Sequence, residues 1–244
     1  MRLKDKVAIV TGAGSGFGAG IARRFAEEGA RVIVNDLNPA GEKIAKEIGG
    51  SFVQADVSRA ADWARLVGAA GDRLDIVVNN AGWTHRRKPY LEVTEAEFDK
   101  VYAVNVKSIY LSALHAVPVF KRRGGGCLVN IASTAGVRPR PGLTVYNSSK
   151  GAVITMSKSM AAELGPDKIR VNCVNPVFSP DTALSADFAG GTLTEEAKKA
   201  FLATIPLGRF STPLDIANAC LYLASDEASM VSGVCIEVDG ARCV

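Results

Sequence analysis

Histidine is nearly missing, with 2 in 244 residues, and cysteine is sparse and irregular. The five cysteines, Cys127, Cys173, Cys220, Cys235 and Cys243, are an odd number and hold no CxxC pair. That pattern offers neither a disulfide framework nor a zinc site, and no other metal-ligand cluster is visible. Cys127, Cys173 and Cys235 sit in or beside apolar runs, where cysteine behaves as a small core residue. A reducing, cytoplasmic setting is therefore expected. No apolar run approaches the roughly 20 residues of a membrane span, so no membrane partner is expected. The opening MRLKDKVAIV lacks a long apolar core and a small-residue cleavage site, and reads as a folded strand rather than a signal peptide. Strong charge is lacking too. Lys and Arg number 29 against 25 Asp and Glu, a net charge of +4. Nucleic acid binding would want a denser basic stripe and a recognition motif, so no nucleic acid is expected. Hydrophobic residues at 48% and charged residues at 22% exclude disorder as the main state.

What is present is an alternation. Short apolar runs, KVAIVT (6–11), RVIVN (31–35), SFVQA (51–55), LDIVVN (74–79), CLVNIA (127–132), IRVNCV (169–174) and VCIEV (234–238), read as strands. Nearly continuous apolar strands suit a parallel sheet covered on both faces. Helical stretches lie between them, such as Phe17–Glu28, Pro39–Ile48, Phe98–Arg122, Val145–Leu164 and Pro213–Ala224. Gly29, Gly49 and Gly165 follow three of these, where a glycine commonly caps a helix. The alternation predicts an α/β fold. It is a single Rossmann-like domain over 1–244, a doubly wound parallel sheet of about seven strands with helices on both faces. Residues 176–195 break the rhythm with prolines and a Gly-Gly pair, and read as a substrate-binding loop or lid within that domain.

Residues 11–18, TGAGSGFG, stand directly after the first strand and before a helix. Gly12, Gly16 and Gly18 permit a tight turn and a close approach of backbone to a pyrophosphate, which the helix N-terminus then attracts. The strand–loop–helix setting makes this a dinucleotide site, with Gly12, Ser15, Gly16, Phe17 and Gly18 as contacts. Asp36 closes the second strand, placed to accept hydrogen bonds from the adenosine ribose and to repel a 2′-phosphate. Leu37 and Asn38 follow it, with no Lys or Arg to reverse that preference, so NAD is the expected cofactor and Leu37 a further contact.

The run YNSSK puts Tyr146 and Lys150 on one face of a predicted helix. An ammonium near a phenol favours phenolate, and a phenol so tuned exchanges a proton with an alcohol or carbonyl near neutral pH. Ser133 ends the strand CLVNIA, at the strand edge where a doubly wound sheet places its catalytic groups. Alone, a Tyr-Lys pair at this spacing is common on exposed helices.

Together the motifs resemble the short-chain dehydrogenase/reductase family over essentially the whole chain. They are TGAGSGFG, ADV at 55–57, NNAG at 79–82, Asn105 in VYAVNV, Ser133, YNSSK, RVNCVNP at 170–176 and VDG near the end. The resemblance implies an oxidoreductase of CH–OH groups, with hydride passing between substrate carbon and nicotinamide. It implies Tyr146 as acid/base, and Lys150 as holder of the nicotinamide ribose and depressor of the Tyr146 pKa. Ser133 would bond the substrate oxygen, and Asn105 would order a water in a proton relay. Asp56 and Val57 would meet the adenine, with Asn80, Ala81 and Gly82 as backbone beside the cofactor. It also implies a homotetramer or homodimer built on the helices around 98–122 and 145–164. No metal is needed for this chemistry.

Three departures stand out. NPVFSPDT carries Val177 where the family usually has glycine, and Thr182 arrives one residue late for a nicotinamide contact. The segment from Asp56 to Asn79 is short, and GAR replaces the usual C-terminal Gly-Gly. Within the family, NNAGWTHRRKP and ASTAGVRPRPGLTVY resemble bacterial NAD-dependent alcohol dehydrogenases, among them enzymes of arylsulfonate alcohols and aldehydes. These loops bring His85, Arg86, Arg87, Lys88, Arg138 and Arg140 to the expected catalytic rim, which suggests a carboxylate- or sulfonate-bearing substrate. Trp83, Phe178 and Phe188 are candidate wall residues. The rival readings are a 3-oxoacyl-[acyl-carrier-protein] reductase, a sugar or polyol dehydrogenase, a sugar-nucleotide epimerase, and a non-catalytic NAD-binding protein.

Overall fold

In the computed structural model, which describes every residue except Asp181, one seven-stranded sheet carries the whole chain. Its strands are β1 (Val7–Thr11), β2 (Arg31–Asp36), β3 (Ser51–Gln54), β4 (Ile76–Asn79), β5 (Gly126–Ile131), β6 (Ile169–Pro176) and β7 (Cys235–Val238). All seven expected strands are present. All pairings are parallel, in the order β3-β2-β1-β4-β5-β6-β7. The chain winds outward from β1 to β3, then restarts beside β1 with β4. That reversal opens a crevice beyond the carboxyl ends of β1 and β4, the usual place for a ligand in such sheets.

Alternation along each strand feeds two separate cores. In β1, Ala8 and Val10 join the cluster that contains α1 (Gly16–Glu27) and α9 (Pro213–Ala224). Val7 and Ile9 join the opposite cluster, with α3 (Ala60–Ala70) and α5 (Ser108–Arg123). A period-two strand buried on both sides must be apolar throughout, which is why these strands read as unbroken hydrophobic runs. The helices α1 and α9 lie close together at Gly20, where a Cβ would fall 2.6 Å from Pro213 Cβ. Thr212 and Asp215 form a reciprocal cap on α9, with Pro213 in its first turn.

The remaining helices are α2 (Gly41–Glu47), α4 (Glu95–Tyr102), α6 (Thr144–Leu164), α7 (Ser185–Ala189) and α8 (Glu195–Leu202). The expected helix over 98–122 is longer than read. It runs from α4 through a π-helical turn, Ala103–Lys107, into α5. This 29-residue stretch reaches a mean hydropathy of 1.2 in its best window, so by length and composition it could cross a bilayer, contrary to the expectation that no run was long enough. Its Leu111, Ala116, Val119 and Phe120 are buried in the core of the sheet, as in a packed helix. Gly29 and Gly49 cap α1 and α2 in left-handed backbone, as expected. Gly165 does not, since its φ of −54° continues the chain into a 3-10 turn, and Lys168 takes the left-handed position instead. The loop read over 176–195 contains α7 and leads into α8, neither with a buried residue.

Candidate active site

A cavity of about 400 Å³ runs along the crevice, from the glycine loop and Asp36 at one end to Tyr146 and Phe188 at the other. Gly12 sits at φ +61°, where its missing side chain lets Ala81 Cα approach to 2.8 Å of the Cβ position. Ser15 adopts extended backbone before α1, and the first helical bond runs from Ala19 N to Ser15 O at 3.1 Å. The amides of Gly16, Phe17 and Gly18 precede that bond and face out of the helix end, with no acidic residue in the first turn to oppose an anion. Gly12, Ser15, Gly16 and Phe17 line the cavity. Gly18 does not. A Cβ there would fall 2.2 Å from Gly12 O, so its task is to let the helix close onto the loop.

Asp36 is fixed at both oxygens. One accepts from Gly14 N at 2.9 Å and the other from Asn38 N at 2.8 Å. The first bond explains Gly14, which the sequence reading passed over, because a Cβ there would lie 2.8 Å from the carboxylate. Asp36, Leu37, Asp56 and Val57 all line the same end of the cavity. Asp56 N donates to Asp62 at 2.8 Å, and Val57 O accepts from the Trp63 indole at 2.9 Å, so α3 holds both in place. After β4, the Asn80 amide donates to Thr11 O and Gly12 O, at 2.8 and 3.0 Å, stapling the two loops of the crevice together. A cradle shaped by missing side chains, an open helix end and a pinned carboxylate fits a dinucleotide.

Ser133, Tyr146 and Lys150 line the other half, Tyr146 and Lys150 each only 4% exposed. Ser133 stands near enough to the Tyr146 phenol to act on its titration, and its hydroxyl caps the 3-10 turn after β5 by accepting from Ala135 N. The Lys150 ammonium donates to Ile131 O at 2.8 Å and stands 5.7 Å from the Tyr146 ring centre. The expected lowering of the phenol pKa is not found. Burial pushes Tyr146 up to about 12, with Ser133 and Arg140 acting against that rise. Burial also pulls Lys150 down to about 8. At Tyr146, desolvation outweighs the opposing effects of Ser133 and Arg140. Asn105 lies behind the wall rather than in it. Its amide oxygen accepts from Trp83 N, and its nitrogen donates to Trp83 O and Ser149 Oγ, all within 3.0 Å.

The expected basic rim is only partly a rim. His85 is buried, with its Nδ1 facing Arg86 O. The Arg86 guanidinium turns to Gly190 O, Lys88 is paired with Glu97 at 2.7 Å, and Arg138 is tied to Arg242 O. The Lys88 ammonium holds the Glu97 carboxyl down at about 2. Arg140 alone of the six lines the main cavity. The sequence gives no warning of this, since Arg138 and Arg140 differ only in which side of the loop they leave. Val177 sits outside the left-handed region, so a side chain is tolerated where glycine is usual. Thr182 lines the cavity and donates to Ser179 O at 3.2 Å. Trp83, Phe178 and Phe188 are wall residues as expected, and Phe188 meets Tyr146 edge-on at 5.0 Å between ring centres.

A family model described as Enoyl-(Acyl carrier protein) reductase matches residues 12–241. The chain is 51% identical to 4-formylbenzenesulfonate dehydrogenase of Comamonas testosteroni, over 99% of both chains. It is 36% identical to cyclopentanol dehydrogenase of Comamonas testosteroni, over 98% of this chain and 97% of that one. Among solved structures, 3-ketoacyl-(acyl-carrier-protein) reductase from Brucella melitensis, complexed with NADH, superposes with a TM-score of 0.93. It is 42% identical and covers 99% of this chain and 100% of that one.

Proposed function

From its membership of the short-chain dehydrogenase/reductase family, whose members are oxidoreductases binding a nicotinamide cofactor, we propose that this chain is an NAD-dependent dehydrogenase interconverting a primary or secondary alcohol with its aldehyde or ketone. The observation that carries it is a single cavity with Asp36 at one end and Ser133, Tyr146 and Lys150 at the other. When bound, the nicotinamide supplies the hydride acceptor or donor. The protein moves the proton and sets the geometry. As phenolate, the form that the Lys150 charge favours against the burial opposing it, Tyr146 takes the alcohol proton on its oxygen, and Ser133 donates to the oxygen on which charge develops. Lys150, which donates to Ile131 O, would hold the nicotinamide ribose and supplies the nearby positive charge. Because the Asn105 amide is committed to Trp83 and Ser149, its part in a proton relay falls to its main chain, inside the π-helical turn.

The pinned Asp36 carboxylate supports NAD over NADP, since a 2′-phosphate would meet a fixed negative charge. The 4-formylbenzenesulfonate and cyclopentanol relatives act on ring-bearing substrates by their names, and the aromatic wall of Trp83, Phe178 and Phe188 suits a ring here. The whole chain then acts as one cofactor-binding domain with 176–195 as its substrate loop. Exposed Phe98, Tyr110 and Leu114 on α4 and α5 support pairing of copies across that face, toward a tetramer or dimer. The five free thiols support a reducing cytoplasm as its setting.

Parallel fluorescence titrations with NADH and NADPH test this reading, on wild type and Asp36→Ala. NADH should bind wild type at least about 10-fold more tightly, and the variant should lose that preference. A wild-type preference for NADPH would overturn the NAD assignment and favour acyl-thioester reduction instead.

A further inference from the structure

Beyond Phe178 and Phe188 the main cavity meets a second chamber of about 400 Å³, which shares those two rings and Arg140 with it. Three arginines, Arg87, Arg140 and Arg242, line this chamber, and no acidic side chain does so among the described residues. Two of them converge on one ring. The guanidinium carbons of Arg140 and Arg242 stand 4.5 and 5.1 Å from the Phe201 ring centre. Arg242 is 8% exposed, and its Nη1 is buried without a hydrogen-bond partner. Its Nε donates to Thr204 Oγ1 at 3.0 Å, which fixes the plane of the fork. Arg140 makes no ion pair among the described residues, and burial, with its neighbours Arg242 and Arg87, pulls it down to about 10.

Like charges do not gather in a half-buried space without cause. Each guanidinium costs desolvation, and their mutual repulsion adds to it. A buried donor left unpaired costs more again. An oxyanion would reverse all three penalties, because a guanidinium fork matches a carboxylate or sulfonate geometrically. The backbone places the group deliberately. Ala241 holds φ +71° immediately before Arg242, where a side chain is disfavoured.

We infer that this chamber seats an oxyanion, a carboxylate or sulfonate, carried at the far end of an aromatic substrate whose alcohol or aldehyde reaches Tyr146. The aromatic path is continuous. Phe188 meets Tyr146, Phe178 meets Phe188 at 6.2 Å, and Phe201 meets Phe178 at 4.8 Å. The flat body lies along these rings, and the anion lies between Arg140 and Arg242, with Arg87 at the exposed mouth. Only the reacting end of this substrate rests on the dehydrogenase reading. The anion site rests on the arginines.

The test is calorimetric titration of the NAD-loaded protein with 4-methylbenzoate, 4-methylbenzenesulfonate and the neutral 4-methylbenzamide. At least one anion should bind wild type about 10-fold or more tightly than the amide. That ratio should fall about 10-fold in Arg140→Gln and Arg242→Gln, and less in Arg87→Gln, whose guanidinium is the most exposed. If Arg242→Gln fails to fold for want of its Thr204 bond, Arg140→Gln decides. Equal binding of anions and amide to wild type, or a ratio unmoved in Arg140→Gln, overturns the inference. The titration reads no turnover. A protein that prefers the anions but oxidises no alcohol keeps the chamber and loses the dehydrogenase reading. One that oxidises alcohols without any anion preference does the reverse.

Discussion

The two ends of the cavity are built by different means. The dinucleotide end is made of backbone. Gly12, Gly14 and Gly18 are defined by the side chains they lack, Asp36 and Asn80 are held by main-chain groups of the glycine loop and the end of β1, and Asp56 by the Asp62 carboxylate of α3. The substrate end is made of side chains brought from afar. Phe178, Phe188, Phe201, Arg140 and Arg242 come from four separate stretches of chain, and α7 and α8, which carry two of them, bury nothing fully. A cofactor common to many reactions suits rigid, locally specified geometry. A substrate pocket that differs from enzyme to enzyme sits on elements loosely tied to the core, where side chains change without disturbing the sheet.

Substitutions sharpen that contrast. The largest effect is expected at the junction of the two ends. Tyr146→Phe should lower kcat by about 1,000-fold in steady-state alcohol oxidation, with NADH still bound by fluorescence. Retention of turnover would remove Tyr146 from proton transfer. Next comes the backbone end. Gly18→Ala forces a Cβ to 2.2 Å from Gly12 O, so denaturant unfolding should show a loss of about 1–3 kcal/mol together with weaker NADH binding. An unchanged NADH affinity would mean that the loop closes by another route. The smallest effects compare one chemistry in both regions. Thr212→Ala removes the cap of α9, which packs against α1 under the sheet, and should cost about 1 kcal/mol of global stability. Thr194→Ala removes the cap of α8, which has no buried residue. There, hydrogen exchange should quicken within α8 while the global unfolding midpoint stays in place. Equal global losses from the two would erase the distinction between a core end and a peripheral end.

Legibility in the sequence follows the same division. Every strand was readable, because burial on both faces demands an unbroken apolar run, and Tyr146, Lys150, Ser133 and Asp36 were readable from strand ends and helix spacing. The glycine loop was readable as a dinucleotide site, with helix packing among the roles of its glycines, though the structure alone assigned that packing to Gly18, and Gly14 went unread. The pairing of Lys150 with Tyr146 was visible as spacing, yet its electrostatic outcome was not, since spacing carries no measure of burial. Of six basic residues expected at the rim, Arg140 reached the main cavity and Arg87 the second chamber. The rest were taken up by carbonyls, by Glu97 or by burial.

By itself the sequence determined a parallel α/β sheet, a dinucleotide crevice and a Tyr-Lys-Ser set, because each is written in local periodicity or in residues close along the chain. Only the tertiary structure decided that Asn105 braces Trp83 from behind, that burial raises the Tyr146 phenol, and that Arg140 and Arg242 converge on Phe201. The physical reason is distance along the chain. Arg140 and Arg242 carry no shared periodicity, and their nearness exists only once the C-terminal turn after β7 folds back over α8.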